Sequence, residues 1–156
     1  MNSKLMTGLA CAAMMSACMS VANAKALYFI ADVPSTADGG IDSGVSFNAG
    51  QTVSVKAQGL ITVTSVQPEP AKPQADGSEG YFTPDGALGP DGSGTAPDCQ
   101  LGQLIGTISG TGVWHCLGKK ASFVADGTGD LILAINDWPG NYSDNLGDFD
   151  VLIEAP

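Results

Sequence analysis

From Thr52 the chain reads Thr-Val-Ser-Val-Lys, and from Ile61 it reads Ile-Thr-Val-Thr, with an apolar residue at every second position. That two-residue period belongs to a strand with one face buried and one face wet. The same pattern predicts short strands at 26–31, 44–47, 52–57, 60–66, 103–108, 121–124, 131–135 and 149–153, with clusters of Gly, Asp, Pro and Ser between them. Beyond residue 24 no segment carries a 3.6-residue apolar repeat of useful length. Many short strands separated by turn signals predict an all-β fold, an antiparallel β-sandwich or jelly roll. Between Gln67 and Asp98 the alternation lapses into Pro68-Glu69-Pro70, Asp76-Gly77, Asp85-Gly86 and Pro90-Asp91-Gly92. A loop of that length is usually either functional or mobile, and Tyr81-Phe82 is the one aromatic pair within it. Its Asp-Gly units lack the fixed period of calcium-binding nonapeptide arrays.

The first 24 residues follow a different rule. Lys4 is their one charge, a small and apolar run continues through Met19, and Val21-Ala22-Asn23-Ala24 closes the stretch with small residues spaced for cleavage. This predicts a secretory signal peptide at 1–24, cleaved after Ala24, ahead of one domain at 25–156. The alternative is a lipoprotein signal, since Ser16-Ala17-Cys18 places small residues before a cysteine that lipid could anchor. Either way the expected location is secreted or periplasmic. No other run approaches the length needed to span a bilayer, and 132 of the 156 residues suit a single core.

Composition then narrows the partners. The formal net charge is −10, made by 16 acidic residues against 6 lysines with no arginine. Nucleic acid is excluded as a partner, because neutralising phosphates takes Lys and Arg. The acidity fits calcium chelation and plain solubility equally well. Of the four cysteines, Cys11 and Cys18 fall in the leader, which leaves Cys99 and Cys116 as an even pair in an oxidising compartment. They are expected to form a disulfide. The other use, a metal site on His115-Cys116, matches no zinc spacing.

The densest chemistry lies in Asn136-Asp137-Trp138-Pro139-Gly140-Asn141-Tyr142-Ser143-Asp144-Asn145-Leu146-Gly147. Carboxylate, amide and carbonyl oxygens are crowded around a Pro-Gly turn, between predicted strands that hold both ends. Hard divalent cations take six to eight such oxygens, so the segment reads as a Ca2+ loop. This stretch resembles the Asn-Asp-x-Pro-Gly-x-Tyr-x-Asn-Asn-x-Gly loop of the PA-I galactophilic lectins, with Asp144 replacing the first asparagine of the closing pair. Weaker echoes run through Ile41-Asp42-Ser43-Gly44-Val45, Gln51-Thr52-Val53-Ser54-Val55, Ala57-Gln58-Gly59, Gly89-Pro90-Asp91-Gly92 and Gly102-Gln103-Leu104-Ile105-Gly106.

The resemblance implies a small jelly-roll sandwich that holds galactose through a bound calcium. Its metal would be held by the side chains of Asp137, Asp144 and Asn145 and by main-chain carbonyls of Tyr81 and Asn141. Two sugar hydroxyls would complete the shell while Asp137 and Asp144 accept their protons. The resemblance also implies a departure in the sugar pocket. Pro97-Asp98 survives, but Ala96 stands where the family has histidine, and the segment before Gly102 is shorter, leaving Gln100 as the stand-in for the family glutamine. Trp138 replaces a small aliphatic residue, so its indole either covers an apolar sugar face or packs against the long loop.

Other residues carry less. His115 is the sole histidine and has no nucleophile or orienting partner nearby in sequence. Asp148 and Asp150 share a strand face, but such carboxylates beside a calcium loop serve the loop or the solvent more simply than glycoside hydrolysis. Asn141-Tyr142-Ser143 matches a glycosylation sequon, inside the expected metal loop. The expected function is a calcium-dependent carbohydrate-binding protein for galactosides or related glycans, without enzymatic activity. The competing reading is a calcium-stabilised interaction module that has lost sugar binding. Shallow single sites bind weakly, so a homo-oligomer is expected to supply avidity.

Overall fold

A computed structural model of the protein describes residues 27–63, 81–87, 92 and 94–155. The predicted leader at 1–24, with Cys11 and Cys18, lies outside the described residues, as do Thr64 to Val66 and most of the long loop. Among the described residues eight strands form two four-stranded antiparallel sheets. One has the order β1 (Leu27–Pro34), β8 (Leu146–Ala155), β3 (Thr52–Thr62), β6 (Lys120–Val124). The other has the order β2 (Ile41–Phe47), β7 (Gly129–Ile135), β4 (Leu104–Ile108), β5 (His115–Cys116). Among the described residues the one helical turn is a 3-10 turn at Tyr142–Asp144, and no helix is long and apolar enough to cross a membrane.

The alternation read from sequence sets which side chains meet between the sheets. Val33, Val53, Val55, Phe149, Val151 and Ile153 project inward from the first sheet and pack with residues such as Val45, Phe47, Leu104, Ile108, Leu131 and Leu133 of the second. Burying each such side chain contributes about 1.5–3 kcal/mol. β4 is buried at every position, because a second small cluster covers the outer face of its sheet: Ile105 and Ala134 pack against Ala96 and Cys99, with Trp114 alongside. The disulfide joins Cys99 to Cys116, as expected. The segment around residues 96–101 is thereby fixed to β5 and to the outer face of the second sheet.

Two expectations change. The strands placed at 52–57 and 60–66 are one strand up to Thr62, because pairing with β8 runs unbroken through Gln58↔Asp150 and Gly59↔Phe149. Gly59 permits this at φ +121°, where a Cβ would sit 2.5 Å from the Asp148 carbonyl. The excursion after Gln67 is not wholly detached either. Phe82 pairs with Ile61 through two main-chain hydrogen bonds of 2.8 and 3.0 Å and buries its ring in the core. The two-residue β5 was missed because it is too short to show a period.

Candidate functional site

β7 ends at Ile135, and the chain enters the oxygen-rich loop through Asn136 and Asp137, both buried. Asn136 turns away from the loop's mouth. Its Nδ2 donates to the carbonyls of Ala96 (3.1 Å), Cys99 (3.2 Å) and Gln100 (3.0 Å), and its Oδ1 accepts from the Ala96 N–H at 2.8 Å. Its main chain adds bonds to Gly102 and Gln103. The first residue of the motif is thus a clamp that fixes the 96–103 segment against the loop, and its amide is consumed in that role.

Asp137 is only 5 % exposed. Its Oδ1 accepts from the Trp138 N–H at 2.7 Å and its Oδ2 from Asn145 Nδ2 at 2.9 Å. The ion pairs among the described residues join His115 to Asp126 and Lys119 to Asp85, so no cationic side chain neutralises Asp137. Asn145 is 1 % exposed, and its Nδ2 also donates to the Ser35 carbonyl at 2.9 Å. Its Oδ1 is buried without a hydrogen-bond partner. A buried carbonyl oxygen left unpaired costs about 1–3 kcal/mol, and a buried carboxylate calls for a counter-charge or a metal. One hard cation would answer both needs.

The rest of the loop closes around this pair. Pro139-Gly140 makes the turn, with Gly140 at φ +88°, and the Asn141 N–H returns to the Trp138 carbonyl at 2.9 Å. Asp38, far away in sequence, accepts from the Gly140 N–H at 3.2 Å. Ser35 donates through Oγ and N–H to the Gly147 carbonyl, tying the loop's exit to β1. Tyr142 is buried beneath, its hydroxyl donating to the Ile135 carbonyl at 2.9 Å and lying 2.8 Å from Thr95 Oγ1. Burial raises its phenol above the ordinary value of 10.0, outweighing the hydrogen bonds from its neighbours.

An open cleft of about 450 Å3 lies over this framework, lined by Asp137, Asp144, Asn141, Trp138, Val63 and Leu101, with Gly140 and Ser143. Of the residues expected to act, Asp137, Trp138, Asn141 and Asp144 line it together, and Asn145 bonds directly to Asp137. Trp138 is 48 % exposed at the cleft. Tyr81 is not on the wall; it sits beside Phe82, the partner of Ile61, and the residue that reaches the wall from the end of β3 is Val63. Gln100 is also elsewhere: with its amide nitrogen turned to donate, it faces the carbonyls of Asp85 (3.1 Å) and Ala87. Leu101, an apolar residue, takes the wall instead. Ala96, at the position of the family histidine, is buried in the small cluster.

Among the described residues no three His, Cys, Asp or Glu side chains converge as a metal cluster. A cation here would therefore rest on two carboxylates, Asp137 and Asp144, supplemented by the Asn145 amide oxygen and main-chain carbonyls at the cleft. That is an oxygen set suited to a hard ion, without the Cys or His ligands typical of zinc sites. Sequence reading missed Ser35, Asp38, Val63 and the clamping role of Asn136. The first three reach the loop from more than 70 residues away in the chain, and no local motif marks them.

Two antiparallel sheets with an oxygen-rich cleft at the β7–β8 connection make up a β-sandwich. Residues 29–155 match the PA-IL-like protein family, and the chain belongs to it. Among solved structures it is similar to "EclA N-terminal domain; PllA-like lectin", with 19 % identity, a TM-score of 0.59, and coverage of 80 % of this chain and 93 % of that one. At that identity the likeness shows the fold. No curated protein matches the chain.

Proposed function

We propose that the protein is a non-enzymatic lectin that binds galactosides or related glycans at the Asp137–Asp144 cleft, with Ca2+ held by the same loop. The observation that carries this reading is the Asp137 carboxylate, buried without a cation and bonded to Asn145 Nδ2, beside an Asn145 Oδ1 that is buried without a partner. Asp137, Asp144 and Asn145 would hold the ion through side chains, and the cleft main chain at Asn141 and Val63 would supply further oxygens. When bound, the ion polarises sugar hydroxyls that enter its shell. Asp137 and Asp144 orient those hydroxyls by accepting their protons in hydrogen bonds. Trp138 offers an apolar ring face to the C–H side of the sugar and excludes water there. The buried clamp of Asn136 and the Tyr142 hydroxyl keep the loop in its binding shape without reorganisation.

The disulfide supports a secreted or periplasmic location, where thiols stay oxidised. A second reading, a calcium-stabilised interaction module without sugar binding, is favoured by the wall itself: Leu101 lines the cleft while Gln100 faces away and Ala96 is buried. Calorimetric titration with galactosides separates the two. Heats that appear with saturating calcium and vanish without it support the lectin; silence toward galactosides and a wider glycan set, with calcium still bound, supports the module.

A further inference from the structure

Well away from the cleft, the outward face of the β1-β8-β3-β6 sheet holds a groove of about 400 Å3. The strand register builds it from two rungs. One rung runs Tyr28, Glu154, Ser54, Ser122, and the next runs Leu152, Lys56, Lys120, with Ile30 continuing that rung outside the groove. Lys56 and Lys120 are therefore direct cross-strand neighbours on one face. Like charges placed opposite each other in this way are destabilising. Acidic residues outnumber basic ones by 16 to 6 in the chain, yet neither lysine belongs to an ion pair among the described residues. The contrast with the adjacent Lys119 is direct, because its Nζ lies 2.9 Å from Asp85 Oδ2.

The rest of the groove defines what would neutralise that pair. Ser54 and Ser122 hydroxyls lie 3.1 Å apart beside the lysines, each able to donate or accept. Tyr28 is 61 % exposed and presents a ring at the other end, and Leu152 supplies an apolar floor. Glu154 lies between ring and hydroxyls; as an acceptor it suits a hydroxyl and repels a second anionic group. We propose that this groove is a calcium-independent site for an acidic saccharide unit, a hydroxylated ring carrying one carboxylate or sulfate. The anionic group sits between Lys56 and Lys120, the hydroxyls meet Ser54, Ser122 and Glu154, and the ring's C–H face lies on Tyr28. Lys56 is seven residues along β3 from Val63, about 23 Å at strand rise, so this site and the cleft can be filled together.

The test is a titration of the 15N-labelled protein in metal-free buffer with glucuronate, glucose 6-sulfate and neutral glucose, read by amide chemical shifts. The expected result is saturable shifts at Ser54, Lys56, Lys120 and Ser122 with at least one acidic sugar, none with glucose, and weakening as salt rises. A carboxylate-only or sulfate-only response identifies the anionic group. The exposed double variant Lys56→Gln/Lys120→Gln should weaken binding about tenfold or more, a change worth ~1.4 kcal/mol, and Tyr28→Ala should weaken it less. Calcium binding at the cleft should be unchanged in all of them. The proposal is overturned if neither acidic sugar shifts these amides, if glucose shifts them equally, or if the folded double variant binds as the parent does.

Discussion

The oxygen-rich loop at 136–147 and the wall at 96–101 meet along the same cleft, and they are built on opposite principles. In the loop, polar groups are buried with needs left over: the Asp137 carboxylate accepts from Trp138 N–H and Asn145 Nδ2 but has no cation, and Asn145 Oδ1 has no donor. In the wall, polar groups are satisfied or absent. Asn136 bonds to the carbonyls of Ala96, Cys99 and Gln100, the disulfide holds Cys99, and Leu101 faces the cleft. In the proposed function the loop would hold the ion, and the wall would decide what lies beside it. The two can therefore change independently. A cation site could then persist while sugar preference changes, and the proposed function predicts this for a chain with Ala96 buried, Gln100 turned away and Leu101 at the cleft.

The change with the largest expected effect removes the residue that joins the two regions. Asn136→Ala deletes the donor to three carbonyls and the acceptor of the Ala96 N–H inside a buried site, and should cost about 3–4 kcal/mol. Denaturant unfolding would read this, and both calcium-linked stability and sugar binding should fall together. Breaking the disulfide acts on the wall alone. Cys99→Ser/Cys116→Ser should lower stability by about 3 kcal/mol for a closed loop of this size, with calcium affinity retained. An equal loss of calcium affinity would mean that the two regions are not separable.

Asp137→Asn acts on the loop alone. At calcium one hundred times the dissociation constant, binding stabilises the folded state by about 2.7 kcal/mol, and this variant should lose that increment while melting normally in metal-free buffer. Trp138→Ala is smaller still. Removing the half-exposed ring should weaken glycan binding by about 1 kcal/mol and leave calcium affinity as it was. An unchanged glycan affinity would assign the indole to packing.

The smallest effect concerns pH. Burial holds the Tyr142 phenol above 10.0, so the folded chain keeps that proton to higher pH than the unfolded chain. Its contribution is fully present below the unfolded value and is lost as pH rises through the folded one. Tyr142→Phe should flatten that alkaline decline and cost about 1 kcal/mol at neutral pH, through the donor lost to the Ile135 carbonyl.

Local periodicity made most of the fold legible. Val53 and Val55 alternate with wet neighbours and mark β3, and the apolar run at 131–135 marks a strand whose sheet is covered on both faces. The break at Gly59 misled because glycine also serves inside a strand where another backbone comes close. In the site, Asp137, Trp138, Asn141, Asp144 and Asn145 were readable because one turn of chain gathers them. Ser35, Asp38 and Val63 were not, since they arrive through strand pairing and loop contacts that no short window contains. Tyr81 and Gln100 were placed by likeness, and the core position of Phe82 and the shortened 97–102 segment carry them elsewhere.

In the proposed function Asp137 and Asn145 are completed by a hard cation. Calorimetric titration of calcium into the protein and into Asp137→Asn, at neutral pH and without sugar, addresses it directly. One site per chain in the parent and none in the folded variant is the predicted result; equal calcium binding by both would contradict it.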